Sequence, residues 1–328
     1  MRRKDLLEKK IGVLMGGSSA EREVSLKSGT AVYNSLRSLK FNAVAIDTGE
    51  DLCRVLKRRK IEIAFIALHG GHGENGAVQG MLEIMGIPYT GSGILASALA
   101  MDKEASKKVF HYHNIPMPAF KIVQSSEFPP RRIAGGDKSQ SSQKDTKLRT
   151  PNIELRTGFP LPWVIKPATE GSSVGVEIVK DISGLKAALK RAFSYGEKVI
   201  AEEYIKGQEV QIGILNNMVL GGVEVKPSLE FYNYEAKYTA GLTEYIFPPR
   251  LRKNVYDKAK DKALEAHKSL GCSGATRVDL IIDAKGNPFV LEVNTIPGMT
   301  ETSLLPKIAK NAGIGFGELL TRILGDIR

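Results

Sequence analysis

Cysteine is nearly absent, since 328 residues hold only Cys53 and Cys272. Neither has a Cys or His nearby at ligand spacing, so a disulfide framework and a zinc site are both excluded, and the usage fits a reducing, cytoplasmic setting. Long apolar runs are missing as well. No stretch approaches the ~18 residues of a membrane span, and the run behind the basic N-terminus, Ile11 to Met15, falls short of the roughly 7 to 15 residues of an export signal's core. No membrane partner is expected. No Ser-His-Asp or Cys-His nucleophile arrangement can be traced. Residues 135–158 lack the apolar side chains needed to offset ordering entropy, and are expected to form a mobile polar insertion.

Charge is less one-sided than it looks. The formal net charge is +11, but Lys and Arg are scattered and the clusters at 58–60 and 131–132 are short. A solvated surface fits better than a nucleic-acid footprint, and the excess would attract anionic substrates.

The length exceeds one typical domain of about 100 to 200 residues, so several lobes around a cleft are expected. Ile11 to Met15 is a short apolar strand ending in Gly16-Gly17-Ser18-Ser19, and Glu23 to Leu36 follows with helical periodicity. The unit recurs: strands at 43–47 and 61–68 alternate with helices at 51–59 and 76–85. That alternation predicts an α/β fold with a Rossmann-like parallel sheet and ligand loops at the carboxyl ends of its strands. A helix is expected at 103–113 and a strand at 120–123, with a boundary near residue 101. Further strands are expected at 163–167, 176–179, 199–203, 210–215, 276–283 and 289–294. Helices are expected at 182–193 and 253–270, and one last helix closes the chain.

Two segments carry chemistry on their own. In RVDL, Arg277 and Asp279 alternate onto one strand face; in LEVN, Glu292 and Asn294 do the same. If the two strands pair with those faces aligned, two carboxylates and an amide oxygen converge beside a guanidinium, and hard oxygens of this kind suit Mg²⁺. Val278, Leu280, Leu291 and Val293 mark the opposite face as core. The second segment is Lys166-Pro167 followed by the small-residue loop Glu170 to Gly175, whose backbone N–H groups could approach phosphate; a plain turn is the competing reading.

The chain resembles the D-alanine–D-alanine ligases of the ATP-grasp superfamily. The match runs through GVLMGGSSAEREVSL, ALHGGHGENGAVQG, YTGSG, MDK, VIKPATEGSSVGV, EAKYTAG, TRVDL and LEVNTIPGMTETSLLP, and covers nearly everything outside 135–158. It implies an ATP-grasp fold: an N-terminal Rossmann-like domain (1–101), a central lobe (102–203) and a C-terminal lobe (204–328), with the two α+β lobes enclosing ATP.

The same resemblance assigns Lys103 and Lys166 to ATP phosphates, Glu202 to adenine and Glu209 to the ribose. Asp279, Glu292 and Asn294 would hold two Mg²⁺ ions, with Mn²⁺ able to substitute. Glu21 would bind the ammonium of the first D-alanine, linked to Ser172 and Tyr238. Arg277 and the Gly298 N–H would stabilise the oxyanion. Ser303 and Lys237 would contact the carboxylate of the second D-alanine, with Lys237 on the ATP side of the site as well. His69 would orient substrate or accept a proton. The implied partners are two D-alanine molecules and ATP, with no nucleic acid, in a homodimer that serves peptidoglycan precursor synthesis. Taken singly, Glu21 and Ser303 also read as helix caps.

Overall fold

The structure is a computed structural model and describes residues 3–49, 51–127, 157–172, 174–227 and 243–327. Residues 135–156 of the expected insertion, together with Lys237 and Tyr238, lie outside the described residues. The chain divides into two compact units. The larger gathers three pieces of chain, Met1–Pro118, Thr169–Val174 and Ile205–Arg328, and the smaller comprises Ala119–Ala168 and Gly175–Tyr204.

In the larger unit, helix α1 (Arg3–Leu7) leads into strand β1 (Lys10–Gly16), followed by α2 (Arg22–Ser38), β2 (Asn42–Thr48), α3 (Leu52–Arg58) and β3 (Ile63–Ile66). The strands form a parallel sheet in the order β2-β1-β3. Parallel pairing needs a long crossover, which α2 and α3 supply. Both faces are covered, so β3 reads IAFI and is buried throughout, with no alternation. Helices α4 (Ala77–Ile84), α5 (Ile94–Met101) and α6 (Lys103–Tyr112) follow. The α5 helix escapes sequence reading because ILASALAM is small and apolar almost all round and shows no amphipathic stripe.

The smaller unit holds β4 (Phe120–Gln124), β5 (Trp163–Pro167), β6 (Glu177–Val179), α7 (Leu185–Ala192) and β7 (Lys198–Glu203), with its strands antiparallel in the order β4-β7-β5-β6. Leu185, Ala188, Leu189 and Ala192 recur at helical spacing and bury one face of α7 against Trp163, Ile165, Val199 and Ala201.

The rest of the larger unit is β8 (Gly207–Leu215), β9 (Met218–Pro227), β10 (Thr243–Ile246), α8 (Lys253–Ser269), β11 (Ala275–Asp283), β12 (Pro288–Asn294), α9 (Leu304–Asn311) and α10 (Phe316–Gly325). Its five strands are antiparallel in the order β10-β9-β8-β11-β12. One face takes α8, whose Val255, Ala259, Ala263 and Ala266 pack with Val278, Leu280 and Val290. The other takes α9, whose Leu304 and Ile308 meet Val223 and Val225. The single closing helix expected from sequence is two helices, because the chain leaves α9 at Asn311 and restarts only after Gly315.

Candidate active site

Glu21 stands at the start of α2, where a carboxylate ordinarily turns back to cap the first amides. It makes no side-chain cap bond. Its Oε1 instead accepts from the Ser172 hydroxyl, carried in on the strip 169–174. The loop after β3 closes the other side. Gly70 has φ +68, and a Cβ there would lie 2.7 Å from Glu21 Oε2, so only glycine allows this approach. The Ser19 hydroxyl donates to the His69 carbonyl at 2.5 Å and ties the loops after β1 and β3 together.

Two side chains of that second loop face a common cavity with Glu21. His69 is 6% exposed, with Nε2 3.0 Å from Ser28 Oγ. Burial holds its pKa down to about 4, so it is neutral at neutral pH. Glu74 accepts from the Gly70 N–H at 2.6 Å. Burial, then the Glu21 carboxylate, pushes its pKa up to about 8, so it carries a proton at neutral pH.

The β11–β12 hairpin pairs with the expected faces aligned. Arg277 stands opposite Asn294, and Asp279 opposite Glu292. A bulge after Asp279 then shifts the register and sets Val290, not Leu291, against Leu280. Leu291 is therefore only partly buried, whereas Val278, Leu280 and Val293 are core. The expectation that Leu291 belongs to the core face fails because period-2 reading cannot see an inserted residue. Arg277 clamps Asp279 through Nε at 2.7 Å and Nη2 at 2.9 Å. Lys103, 8% exposed, donates to the Glu170 carbonyl at 2.7 Å and lies 3.3 Å from Glu292 Oε2.

At the entrance to α9, Ser303 makes no cap bond. Its hydroxyl accepts from the Thr300 N–H at 3.1 Å and lies 2.8 Å from Thr300 Oγ1. A Cβ on Gly298 would fall 2.7 Å from that hydroxyl, which reserves the position for glycine and leaves its N–H approachable. Glu21, Ser172, Lys103, Arg277, Glu292, Asn294, Gly298 and Ser303 all line one cavity of about 710 Å³ within the larger unit.

The cavity walls combine the helix-start carboxylate of Glu21, the strand carboxylate of Glu292 and the helix entrance at Ser303, and the chain that builds them matches known proteins over almost its whole length. The D-ala D-ala ligase C-terminus model matches residues 135–325, and the D-ala D-ala ligase N-terminus model matches 48–92. A D-alanine–D-alanine ligase of Geotalea uraniireducens is 49% identical over 98% of this chain and 96% of its own length. One of Citrifermentans bemidjiense is 50% identical with the same coverage. The chain belongs to the D-alanine–D-alanine ligase family.

Solved members of this ligase family share the architecture. The Bacillus anthracis D-alanine–D-alanine ligase complexed with ATP superposes with a TM-score of 0.79, at 33% identity over 97% of both chains. The VanG D-Ala:D-Ser ligase of Enterococcus faecalis gives 0.78, at 30% identity over 97% of this chain and 98% of its own. The ATP-grasp fold expected from the resemblance is the fold of this ligase.

Not every expected site residue of the ligase lies on that cavity. Asp279 is 4% exposed and sits behind Arg277. Glu209 accepts from Gln211 Nε2 at 3.1 Å on β8. Lys166 and Glu202 belong to the smaller unit and form a buried ion pair there. Among the described residues no three His, Cys, Asp or Glu side chains converge on a cation site. Two carboxylates plus the Asn294 amide oxygen still fit a hard cation that completes its shell with water and phosphate.

Sequence reading missed several wall residues. Glu74 ends the motif HGGHGE, yet only its place in the fold beside Glu21 reveals an unusual carboxyl. Gln211 and Tyr245 carry no local signal. Lys307 rests 4.6 Å over the Tyr245 ring, with its pKa lowered by burial. His72, by contrast, is exposed.

Proposed function

We propose that this chain joins two D-alanine molecules in an ATP-driven, cation-assisted condensation. The observation that carries the reading is the single cavity holding the Glu21–Ser172 pair together with Arg277, Gly298 and Ser303. An amino acid presents an ammonium and a carboxylate, and the walls offer separate partners for each. Glu21 takes the ammonium of the first D-alanine, and the carboxylate of that D-alanine attacks the γ-phosphorus of ATP with release of ADP, giving an acylphosphate. The amine of the second D-alanine then attacks the acyl carbon. Arg277 and the Gly298 N–H meet the oxyanion as charge develops, and phosphate leaves as the tetrahedral species collapses, taking up the proton that the attacking neutral amine gives up. Neutral His69 supplies a fixed polar wall, since a pKa of about 4 makes it a poor proton acceptor.

Lys103 and Lys166 neutralise phosphate oxygens, Glu209 takes the ribose hydroxyls, and Glu202 with the strand that follows it recognises adenine. Asp279, Glu292 and Asn294 would hold Mg²⁺, with Mn²⁺ as substitute; when bound, the ion supplies a positive charge that bridges phosphate oxygens. Lys237 for the second carboxylate and Tyr238 beside Ser172 enter the proposal from the sequence alone. So do the lobes at 1–101, 102–203 and 204–328, a homodimeric state and a cytoplasmic location. No helix among the described residues is long and apolar enough to cross a membrane.

The test supplies ATP, Mg²⁺ and each D-amino acid in turn, measures phosphate release and identifies the product by mass. One phosphate per D-alanyl-D-alanine is expected. Turnover without dipeptide, or dipeptide only from another amino acid, would overturn the assignment.

A further inference from the structure

Gln211 lies on β8, is 1% exposed, and lines the cavity. In the antiparallel register it stands directly opposite Asp279, and Asp279 stands opposite Glu292. Directly opposed residues share a face, so Gln211, Asp279 and Glu292 form one row across three strands. The neighbouring row on that face is Gly213, Arg277 and Asn294.

The orientation of the Gln211 amide is chemically fixed. Its Nε2 donates to Glu209 Oε1 at 3.1 Å. An ionised carboxylate only accepts, so the atom facing Glu209 is the nitrogen and the other end is the oxygen. That oxygen is buried and has no hydrogen-bond partner. A buried acceptor without a donor is costly, and one in line with two carboxylates is doubly unfavourable unless something positive comes to it. Asp279, Glu292 and Asn294 leave an octahedral cation with open positions, and a neutral oxygen on the same row can take one of them beside water and phosphate.

We infer that Gln211 is a further member of the cation site, its Oε1 serving as a neutral oxygen ligand while its Nε2 holds Glu209 in place. The inference rests on the cation reading proposed above. It makes Gln211 the link between the group that would hold the ribose and the groups that would hold the ion.

Mn²⁺ is the probe, with ADP present, and bound and free ion are separated by electron paramagnetic resonance. Gln211→Met, which keeps the length of the side chain and removes the amide, is expected to weaken Mn²⁺ binding about tenfold or more. Its thermal midpoint without metal should hold or rise, because the unpaired buried acceptor is gone. Gln211→Leu serves the same purpose should the methionine variant not fold. Glu292→Gln is the control. If it weakens Mn²⁺ binding and the Gln211 variants do not, the role given to Gln211 is overturned while the cation site stands. If neither substitution changes Mn²⁺ affinity, the cation site fails as well. A Gln211 variant that loses thermal stability yet binds Mn²⁺ as the wild type does would reduce the residue to a brace for Glu209 and overturn the inference.

Discussion

A glutamate at a helix start that makes no cap bond leaves the first amides of the helix without a side-chain acceptor. Glu21 does so and faces Ser172 instead. Replacing it with glutamine should therefore leave folding intact while removing a charge-assisted contact to an ammonium, worth about 1.5 to 3 kcal/mol. We expect the KM for the first D-alanine to rise roughly tenfold or more, at 1.4 kcal/mol per decade. Steady-state kinetics across D-alanine concentration check this, and an unchanged KM would return Glu21 to a surface role. Glu292 makes the complementary case. Its neighbours in the strand pack independently of its charge, so Glu292→Gln should fold normally and turn over at less than about a tenth of the wild-type rate, a loss exceeding ~1.4 kcal/mol. Retained phosphate release would remove it from the cation site.

Among the elements, α8 and β11 are stitched by His267, which is fully buried with Nδ1 2.8 Å from Thr276 Oγ1. Its Nε2 has no partner, and burial lowers its pKa to about 4. The unfolded chain titrates near 6.5, so between those values the unfolded state binds a proton that the folded state refuses. Stability from this group is complete above about pH 6.5 and is lost as pH falls, by roughly 3 kcal/mol at pH 4. His267→Asn should be less stable at pH 7.5 yet lose less stability than the wild type between pH 7.5 and 4.5, as read by urea denaturation. Equal losses would refute the assignment.

Legibility also varied by element. The faces of β11 and β12 could be read because alternation is local, and the structure pairs Asp279 with Glu292 accordingly. β9 was missed because Gly221-Gly222 interrupts its apolar run, and α5 because it has no polar face. Gln211 could not be read at all. Its meaning depends on standing opposite Asp279, and a strand register between segments so distant in sequence is set by the whole sheet.

For the whole molecule, the net charge is +11, and most ion pairs among the described residues are exposed. Its expected effect is on encounter with an anionic nucleotide. Raising salt from about 50 to 500 mM shortens the screening length severalfold and should lower kcat/KM for ATP by roughly two- to fivefold while kcat changes little. A salt-independent kcat/KM would show that the charge is purely a matter of solubility.

The strip Thr169–Val174 belongs to the larger unit, although the chain on both sides of it builds the smaller one. The smaller unit is thus never a contiguous gene segment. Recombination cannot transplant it between relatives as a cassette without also exchanging Glu170, Gly171 and Ser172, which line the cavity beside Glu21. Whatever lineage supplies Lys166, proposed above for the ATP phosphates, supplies Ser172 as well. The two residues are inherited together, and a hybrid assembled at the apparent unit boundaries would have to be spliced at four points.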